Sequence, residues 1–392
     1  MTNFKEVIER KGTRSVKWDF ADKLFKNEDI LPMWVADMDF QVPDAVTTAL
    51  QNRVSHGIFG YTLPDEDVKN TITSWVKNHY DYEIEKDWIF YSPGVVPSLH
   101  MLVQALSEIG DNVLIQTPVY PPFYSVIKNH GRHIIKNELT FDGERYDIDF
   151  EDFEQKIKDN NVTLFILCSP HNPVGRVWTE DELKKMADIC LKYDVTILSD
   201  EIHADLVLGN NKHFSIASLS EDIDDATVTC YSPTKTFNLA GLQASYVVAK
   251  DKDKRKRLER QFHGQGINML NTLGLTALEA AYKDGEQWLI DLREILAENV
   301  AYVRDRLHKE TDTIKVIEPE GTYLLWLDCR KLGLEHEELK TFMQNEAKVG
   351  MNDGASFGEE GKGFMRMNIA APKETIEAGV ERLIQAVNKR EA

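Results

Sequence analysis

The sequence predicts an α/β protein of the doubly wound type, in which helices cover a mostly parallel sheet. Short apolar runs alternate with helical patterns between residues 88 and 248, and nearly every run ends in a polar or turn-rich cluster. One run, TLFILC, is apolar throughout, which is typical of a central parallel strand. The strands are predicted, in chain order, at residues 88–91, 113–115, 133–139, 163–168, 195–198, 227–231 and 244–248.

The rest of the chain is predicted to form a second, smaller unit. A chain of 392 residues is long enough for about two domains. Residues 1–44 show no regular pattern, and long helices mix with short strands beyond residue 253. We therefore predict a large domain of residues 45–285 and a smaller α+β domain that combines residues 1–44 with residues 286–392.

The composition argues against several classes of partner. The chain carries 46 basic and 65 acidic residues, and its formal net charge of -19 would repel nucleic acid and anionic membrane surfaces. The four cysteines form no CxxC pair, which favours buried free thiols in a reducing compartment. The first residues contain no apolar signal region, and the longest apolar runs are far shorter than a membrane span. A cytoplasmic protein that binds neither nucleic acid nor membrane is expected.

The polar clusters at the strand ends should meet beyond the carboxyl edge of the sheet. They occupy residues 92–96, 117–124, 169–175, 199–203 and 231–238. Together they offer a nucleophilic amine, a carboxylate, an amide, an aromatic ring and an anion-binding turn, which are Lys235, Asp200, Asn172, Tyr120 and Gly94 with Val95 and Val96. Ser232 and Thr234 add hydroxyl donors beside the lysine. Arg366, in a predicted C-terminal strand, could clamp a carboxylate through two parallel hydrogen bonds.

These groups fit a phosphorylated, ring-shaped cofactor that carries an aldehyde. A lysine Schiff base with an aspartate partner at the pyridinium nitrogen is the mark of pyridoxal 5′-phosphate (PLP). The chain lacks the GxGxxG and GxxxxGK[ST] patterns, which favours one phosphate over a nucleotide. Each residue alone is ambiguous, because Asp200 is also typical of a helix cap, Tyr120 of a core and Arg366 of a surface ion pair. Their order along the chain indicates PLP, and no metal ligand is predicted.

Longer strings resemble a known family. SPTKTFN around Lys235, SPHNPVG around Asn172 and SDEIHADL around Asp200 resemble the fold-type I PLP enzymes, the aspartate aminotransferase-like proteins. The resemblance covers nearly the whole chain. More narrowly, it extends to the MalY/PatB class of cystathionine β-lyases, which are C–S lyases, through RSVKWD, LPMWVADMDF, HGIFGYT, YSPGVVP, TPVYPPFY and KTFNLAGLQAS. The most discriminating string is LPMWVADMDF at residues 31–40, which we call the substrate loop. Composition alone favours a segment packed across a domain face, whereas the resemblance implies that this loop lines the active site.

The resemblance implies a role for each matching residue. Lys235 binds PLP covalently and then acts as the base at the substrate Cα. Asp200 keeps the ring nitrogen protonated, Tyr120 stacks on the ring, and Asn172 donates to its phenolic oxygen. Lys235, Asp200 and Tyr120 are therefore the expected catalytic residues.

The resemblance also assigns the substrate and phosphate contacts. Arg366 binds the substrate α-carboxylate, helped by Asn172 and by the substrate loop at Trp34 and Ala36. His203 is placed near the ring, although a packing role is about equally consistent with the sequence. The phosphate is expected to meet the backbone of Val95 and Val96, the hydroxyls of Ser232 and Thr234, and Tyr61 from a partner subunit. Many aminotransferases have an arginine where this chain has Gln243, which leaves the phosphate shell incompletely assigned.

The implied reaction is β-elimination at a cysteine S-conjugate such as L-cystathionine, which yields a thiol (homocysteine), pyruvate and ammonia. A PLP-dependent aminotransferase is the alternative, because Lys235 and Asp200 serve both reactions. A non-catalytic regulatory protein on the same fold is a third possibility. The substrate is expected to be a small amino acid, and the role of Tyr61 implies a homodimer with a shared active site.

Overall fold

The computed structural model describes residues 3–267 and 269–391, so the predicted domain ends at residues 1 and 392 lie outside it. Its strands, in chain order, are β1 (Leu31–Pro32), β2 (Ile89–Ser92), β3 (Asn112–Thr117), β4 (His133–Glu138), β5 (Thr140–Phe141), β6 (Tyr146–Asp147), β7 (Val162–Cys168), β8 (Thr196–Asp200), β9 (Thr227–Tyr231), β10 (Ser245–Val248), β11 (Lys315–Ile317), β12 (Leu324–Asp328), β13 (Val349–Gly350), β14 (Asn352–Asp353) and β15 (Phe364–Asn368).

The α-helices, in chain order, are α1 (Val16–Asp19), α2 (Ala21–Phe25), α3 (Asp44–Ser55), α4 (Glu66–Tyr80), α5 (Val95–Leu106), α6 (Pro122–Lys128), α7 (Phe150–Asp159), α8 (Glu180–Lys192), α9 (Glu221–Ala226), α10 (Pro233–Thr236), α11 (Lys252–Gly264), α12 (Thr272–Asp284), α13 (Glu286–Glu310), α14 (His336–Thr341) and α15 (Lys373–Glu391). α8 begins at the capping box that its sequence contains: the Thr179 hydroxyl accepts the Glu182 N–H, and the Glu182 carboxylate accepts the Thr179 N–H.

The large sheet is seven-stranded and mostly parallel, as predicted. Its order is β2-β10-β9-β8-β7-β3-β4. β9, β8, β7, β3 and β4 are parallel neighbours, whereas β10 runs against both β9 and β2. The apolar run TLFILC belongs to β7, which lies between β8 and β3 and is buried except at Thr163. The α/β fold class is therefore confirmed.

Residues 1–44 are more regular than predicted. They contain α1, α2 and β1, so the expectation of an irregular segment was wrong in part. The two helices are four and five residues long, too short for a 3.6-residue apolar period to show in the sequence. β1 pairs with β13, which joins Leu31 to Val349, and such a pairing cannot be read from either strand alone.

The C-terminal part contains the predicted α+β layer. An antiparallel sheet has the order β11-β12-β15-β14, and α13 packs against α15 and β11. Arg366 lies in the middle of β15, opposite Trp326 on one side and Asn352 on the other. The boundaries of the two domains at residues 45 and 285 stay a prediction.

The buried side chains support the sequence expectations about thiols. The four cysteines are free and buried, and burial raises the pKa of each thiol. Across residues 3–267 and 269–391, every helix is too short or too polar to cross a lipid bilayer.

Candidate active site

Three adjacent strand ends bring the central residues of the site together. β7, β8 and β9 run parallel, and Cys168, Asp200 and Cys230 are in register across them. Asn172 follows the end of β7, and Lys235 follows the end of β9. Short backbone bonds tie the strand exits to one another, including Ser169 N–H to the Asp200 carbonyl at 3.0 Å. The clusters at residues 169–175, 199–203 and 231–238, three of the five that were predicted to converge, therefore lie side by side.

Lys235 lies in α10, a single helical turn at the end of β9. Ser232 caps this turn by accepting the Thr234 N–H, and Pro233 occupies its first position, where the missing N–H is not needed. The Lys235 Nζ donates to the carbonyl of Ala36 in the substrate loop at 2.5 Å. Burial, together with the nearby Arg366 cation, lowers the pKa of Lys235 to about 8. A lysine with this lowered pKa has a larger neutral, nucleophilic fraction near neutral pH than an ordinary lysine, although most of the amine is still protonated at pH 7.

Asp200 is a buried carboxylate with few partners. It accepts the Ile202 N–H at 3.2 Å, and it joins no ion pair among the described residues. Burial raises the pKa of Asp200 to about 7, although the Lys235 amine acts in the opposite direction. A cationic N–H donor placed beside this carboxyl group would stabilise its ionised form.

Arg366 is a buried guanidinium aimed at the same edge. It donates to the Asn172 side-chain oxygen at 2.9 Å and to the Asn352 side-chain oxygen at 2.7 Å. The ring of Phe357 lies under it, with the guanidinium carbon 4.8 Å from the ring centre. Its Nε has no partner among the described residues, and burial lowers the pKa of Arg366 to about 10. Arg366 is therefore held in place with donor capacity left for an anion.

The substrate loop both packs and lines the site. Met33, Met38 and Phe40 are buried, as the composition of the loop suggested. Its backbone faces the site, because Ala36 accepts from Lys235 and the Trp34 carbonyl accepts from Arg366 at 3.3 Å. The two expectations for residues 31–40 are thus compatible.

Two asparagines hold the backbone of the substrate loop. Asn368 donates to the carbonyls of Val35 and Asp37, at 2.5 Å and 2.7 Å. Asn238, three residues after Lys235, accepts the Met38 N–H at 2.9 Å and donates to the carbonyls at both sides of Asp39. The loop is therefore fixed from the lysine side and from β15 at the same time.

A cluster of charges anchors the outer side of the loop. Asp39 accepts Arg10 at 2.6 Å, Lys17 at 2.7 Å and the Trp18 indole N–H at 2.9 Å. Arg10 also forms an ion pair with Asp37 at 2.8 Å. We call these five residues the loop anchor. Lys17 and Trp18 belong to RSVKWD, one of the strings that carry the family resemblance, to which the sequence assigned no role.

Tyr120 and His203 complete the walls of the site. Burial raises the pKa of the Tyr120 phenol, which also lies within the electrostatic influence of Arg366 and Asp200. His203 is buried, with its ring centre 6.2 Å from that of Tyr323, and its Nδ1 lacks a partner among the described residues. Burial and the cations of Lys235 and Arg366 lower the pKa of His203 to about 3, so its imidazole is neutral.

The expected phosphate contacts lie at the β2 and β9 ends. α5 begins at Val95 and Val96 directly after β2. β10 links this end to the lysine turn, since Ser245 donates to the Ser92 carbonyl and Ser232 donates to the Ala244 carbonyl. The Ser232 and Thr234 hydroxyls are 2.6 Å apart. Their role toward a phosphate, like the gap left by Gln243, stays a prediction.

Tyr61 is not part of this arrangement in the single chain. It lies in the loop between α3 and α4, and its side chain is 98% exposed. The Thr62 hydroxyl joins this loop to Thr272 at the start of α12, at 2.9 Å. The expected role of Tyr61 therefore depends on a second subunit.

Sequence reasoning missed several residues of the site. Asn238 and Asn368 could have been noticed, since one lies in the lysine string and the other two residues after Arg366. Nothing in the sequence marked Asn352, Phe357 or Tyr323, whose phenol donates to the Ala36 carbonyl at 2.9 Å. Asn352 lies in β14 and Tyr323 directly precedes β12, so their positions depend on the pairing of these strands with β15 in one sheet.

Comparison with known proteins identifies the family of this chain. A family model described as aminotransferase class I and II matches residues 28–383. The chain therefore belongs to the aminotransferase class I and II family. Its place within that family is the MalY/PatB class, as the motifs indicated.

Three relatives support that placement. Cystathionine beta-lyase PatB of Bacillus subtilis (strain 168) is 45% identical over 386 residues, which cover 98% of this chain and 100% of that protein. Protein MalY of Escherichia coli (strain K12) is 33% identical, with 99% of each chain covered. The crystal structure of cystalysin from Treponema denticola, which contains a PLP cofactor, superposes with a TM-score of 0.97 at 38% identity and covers both chains fully.

Proposed function

We propose that this protein is a PLP-dependent carbon–sulfur lyase that performs β-elimination on L-cystathionine or a similar cysteine S-conjugate. The observation that carries the proposal is the contact between Lys235 and Ala36. It joins the residue that serves PLP chemistry in general to the loop that distinguishes the lyase class. The name of PatB, whose whole length this chain matches, supports the same activity.

The residues present fit PLP. Asp200 is a buried carboxylate without an ion pair among the described residues, which suits a protonated ring nitrogen. His203 Nδ1 and Arg366 Nε are buried polar atoms that lack partners until a ligand supplies them. Bound PLP would supply an electron sink for the charge that develops at the substrate Cα. Tyr120 and Asn172 are the proposed ring contacts, and Val95, Val96, Ser232 and Thr234 are the proposed phosphate contacts.

The chain's own residues would orient the substrate and move one proton. Arg366, braced by Asn172 and Asn352, would bind the α-carboxylate and fix the direction of the Cα–H bond. The neutral Lys235 amine would then take the Cα proton at Nζ. The thiolate leaves from Cβ, and one water molecule completes the conversion of the remaining three-carbon unit to pyruvate and ammonia. Ala36, Trp34 and the loop anchor would keep the substrate loop closed over Lys235.

Incubation with L-cystathionine tests the reaction. Purified holoenzyme should release pyruvate and homocysteine in equal amounts without any keto acid, measured by lactate dehydrogenase coupling and by a thiol reagent. Lys235→Ala should lower turnover about 10³-fold or more. Lys184→Ala, an exposed lysine on α8, is the matched control and should behave as wild type.

The same experiment separates the alternative activities. The family model is named for aminotransferases, and product formation that requires an added keto acid would replace the lyase proposal with that activity. A non-catalytic protein would show no visible band with PLP and no spectral change with cysteine conjugates. A panel of cysteine S-conjugates, compared by kcat/KM, would identify which group on the sulfur atom the enzyme prefers.

We also propose a homodimer in which Tyr61 completes the partner's phosphate site. Ile58, Phe59 and Leu63 lie close to Tyr61 in the sequence and are also exposed, and a concentration of exposed apolar side chains is typical of an interface. Mixing inactive Tyr61→Ala and Lys235→Ala chains tests the shared site. Mixed dimers should regain activity because one of their two sites combines intact residues, whereas no recovery would contradict the shared site.

Two further expectations belong to this proposal. We infer that residues 45–285 act as the large domain and that residues 1–44 and 286–392 act as the smaller one, with the site between them. We also infer a cytoplasmic location, which the four free thiols support.

A further inference from the structure

Another buried carboxylate, Asp205, lies behind the lysine turn. It belongs to the string SDEIHADL but serves none of the roles proposed above. Its carboxylate accepts three hydrogen bonds: from the Thr236 hydroxyl at 2.6 Å, from the Tyr80 phenol at 2.8 Å and from the Trp75 indole at 3.2 Å. Thr236 is fully buried and directly follows Lys235 in α10. Asp205 is thus bonded to the turn that carries the reactive amine.

Aromatic rings close this junction against water. Tyr80 stacks on Tyr231, the residue just before the lysine turn, with ring centres 5.2 Å apart. Trp75 stacks on Tyr282 at 4.6 Å, and its ring meets Phe237, the residue just after the turn, at 5.7 Å. The two donors from α4 therefore hold Asp205 in place from one side, and α10 is bonded to it from the other.

The bonding pattern of Asp205 is unusual for a buried carboxylate. The donors to its carboxylate are neutral, and the carboxylate joins no ion pair among the described residues. The Arg293 guanidinium donates to the backbone carbonyl of Asp205 at 2.7 Å. A buried carboxylate is unfavourable unless its hydrogen bonds are made, so loss of one donor leaves the others poorly matched. The arrangement therefore specifies one position for the Thr236 hydroxyl.

The consequence for Lys235 follows from helix geometry. Neighbouring residues of a helical turn point about 100° apart, so a bond that fixes Thr236 also fixes the direction in which Lys235 leaves the turn. α10 has one turn only, and helices of that length are not stable by themselves. Its orientation must come from contacts such as the Ser232 cap at its start and the Asp205 bond at its end.

We propose that Asp205 and Thr236 form a positioning pair that sets the direction of the Lys235 amine toward the substrate Cα. This inference rests on the proposed role of Lys235 as the base. Asp205 and Thr236 touch neither substrate nor cofactor in the proposal; they act through the lysine turn. Trp75 and Tyr80 support the pair by fixing the Asp205 carboxylate.

Three variants test the pair in the holoenzyme. Thr236→Val removes the hydroxyl with almost no change in shape, and Thr236→Ser keeps the hydroxyl. Thr227→Val is the matched control, because Thr227 is equally buried at the other end of β9 and its hydroxyl donates only to the Ile223 carbonyl. The measurements are kcat and KM for L-cystathionine and the pH titration of the visible absorption band of the bound cofactor.

We expect Thr236→Val to lower kcat about tenfold or more while KM changes less than about twofold, because a misdirected base slows the step without weakening substrate binding. The visible band should titrate with a displaced midpoint. Thr236→Ser and Thr227→Val should resemble wild type in both measurements. Circular dichroism and thermal unfolding confirm that each variant folds.

Two outcomes would overturn the inference. One is a Thr236→Val enzyme with wild-type kcat and wild-type titration. The other is an equal loss in Thr227→Val, which would indicate general destabilisation. Failure of the proposed function looks different, because the wild-type protein itself would then lack turnover with cysteine conjugates. A displaced titration midpoint of the visible band in Thr236→Val would still decide the positioning role.

Discussion

Two buried aspartates, Asp39 and Asp200, have opposite surroundings although they are equally withdrawn from solvent. Asp39, in the loop anchor, accepts hydrogen bonds from two cations and one indole. Asp200, at the end of β8, accepts one backbone N–H and joins no ion pair among the described residues. Burial alone would raise the pKa of both. In Asp39 the partners outweigh burial and hold its pKa below the usual value, whereas the pKa of Asp200 rises to about 7.

The difference separates a carboxylate that holds structure from one that awaits a ligand. A buried charge that is fully paired is stable in the folded chain, and one that is not paired destabilises it. Carboxylates of the second kind cluster at functional sites, because their missing partner is the ligand. The Asp205 carboxylate resembles Asp39 in accepting three hydrogen bonds and resembles Asp200 in having no ion pair among the described residues. This combination suits a positioning role.

The largest effect is expected from Asp39→Asn. The substitution removes the nearer carboxylate, at 2.7 Å, from the Lys17 cation, which is 1% exposed, and leaves only the Asp37 carboxylate at 3.9 Å. Breaking a buried pair on one side lowers the free energy of unfolding by about 3–5 kcal/mol. Urea denaturation of the two proteins measures the difference. Asp253→Asn breaks an exposed pair with Lys256 and should leave the unfolding midpoint unchanged.

The pH dependence of stability in the same two proteins is a second test of Asp39. A lowered pKa means that Asp39 contributes stability above the pKa of the unfolded chain and loses it as pH falls through the folded pKa. Wild type should therefore lose stability in acid more steeply than Asp39→Asn. Equal acid sensitivity of the two proteins would contradict the assigned role of Asp39.

Asp200→Asn should change stability in the other direction. The raised pKa means that its favourable contribution is present below the unfolded pKa of about 3.9 and is lost as pH rises through about 7. At pH 8 the ligand-free variant should be about 2–4 kcal/mol more stable than wild type. Turnover of the holoenzyme should fall about 100-fold, because an amide does not hold a proton on the ring nitrogen.

Asp200→Asn is thus expected to raise the stability of the ligand-free protein and to lower turnover of the holoenzyme. Asp39→Asn is expected to lower stability. Denaturation of the ligand-free proteins and the pyruvate assay, performed on the same preparations, measure both quantities. A destabilised Asp200→Asn protein would mean that Asp200 has a structural partner, and the contrast between the two aspartates would be lost.

The two aspartates also mark how far the sequence could be interpreted. Asp200 was predictable because ligands bind where parallel strands end, and its strand is a clear apolar run. The Asp39 cluster was not, because Arg10 reaches Asp37 and Asp39 across 27 and 29 residues through a segment with no strong pattern. Family resemblance identified the substrate loop, while the structure supplied the anchor that holds it.

Other parts of the fold were also predictable only where the signal is local in the sequence. The seven strands of the large sheet were predictable from short apolar runs with polar ends. Asn352 and Tyr323 were not, because they reach the site through strand pairings in the C-terminal sheet. The short helices α1 and α2 escaped notice because each is about one turn long.

A smaller effect is expected at Arg366. Arg366→Lys keeps the charge but loses the planar pair of donors that matches a carboxylate. We expect kcat/KM for L-cystathionine to fall about 10- to 100-fold, which corresponds to the loss of about 1.5–3 kcal/mol from a charged hydrogen bond. PLP binding, measured by the visible band, should be unchanged. Loss of the band would move Arg366 from the substrate side of the site to the cofactor side.

The smallest effect concerns the Lys235 amine in the ligand-free protein. Burial and the Arg366 cation lower its pKa to about 8, while Asp37 and Asp200 raise it. Reductive methylation at limiting reagent, quantified at Lys235 by mass spectrometry, should reach half its maximum near pH 8 and fall about tenfold per unit below, against about 10.4 for N-acetyl-lysine. Arg366→Met should raise this midpoint and Asp200→Asn should lower it. If Asp200→Asn left the midpoint unchanged, the Asp200 carboxylate would not act on the charge of the Lys235 amine.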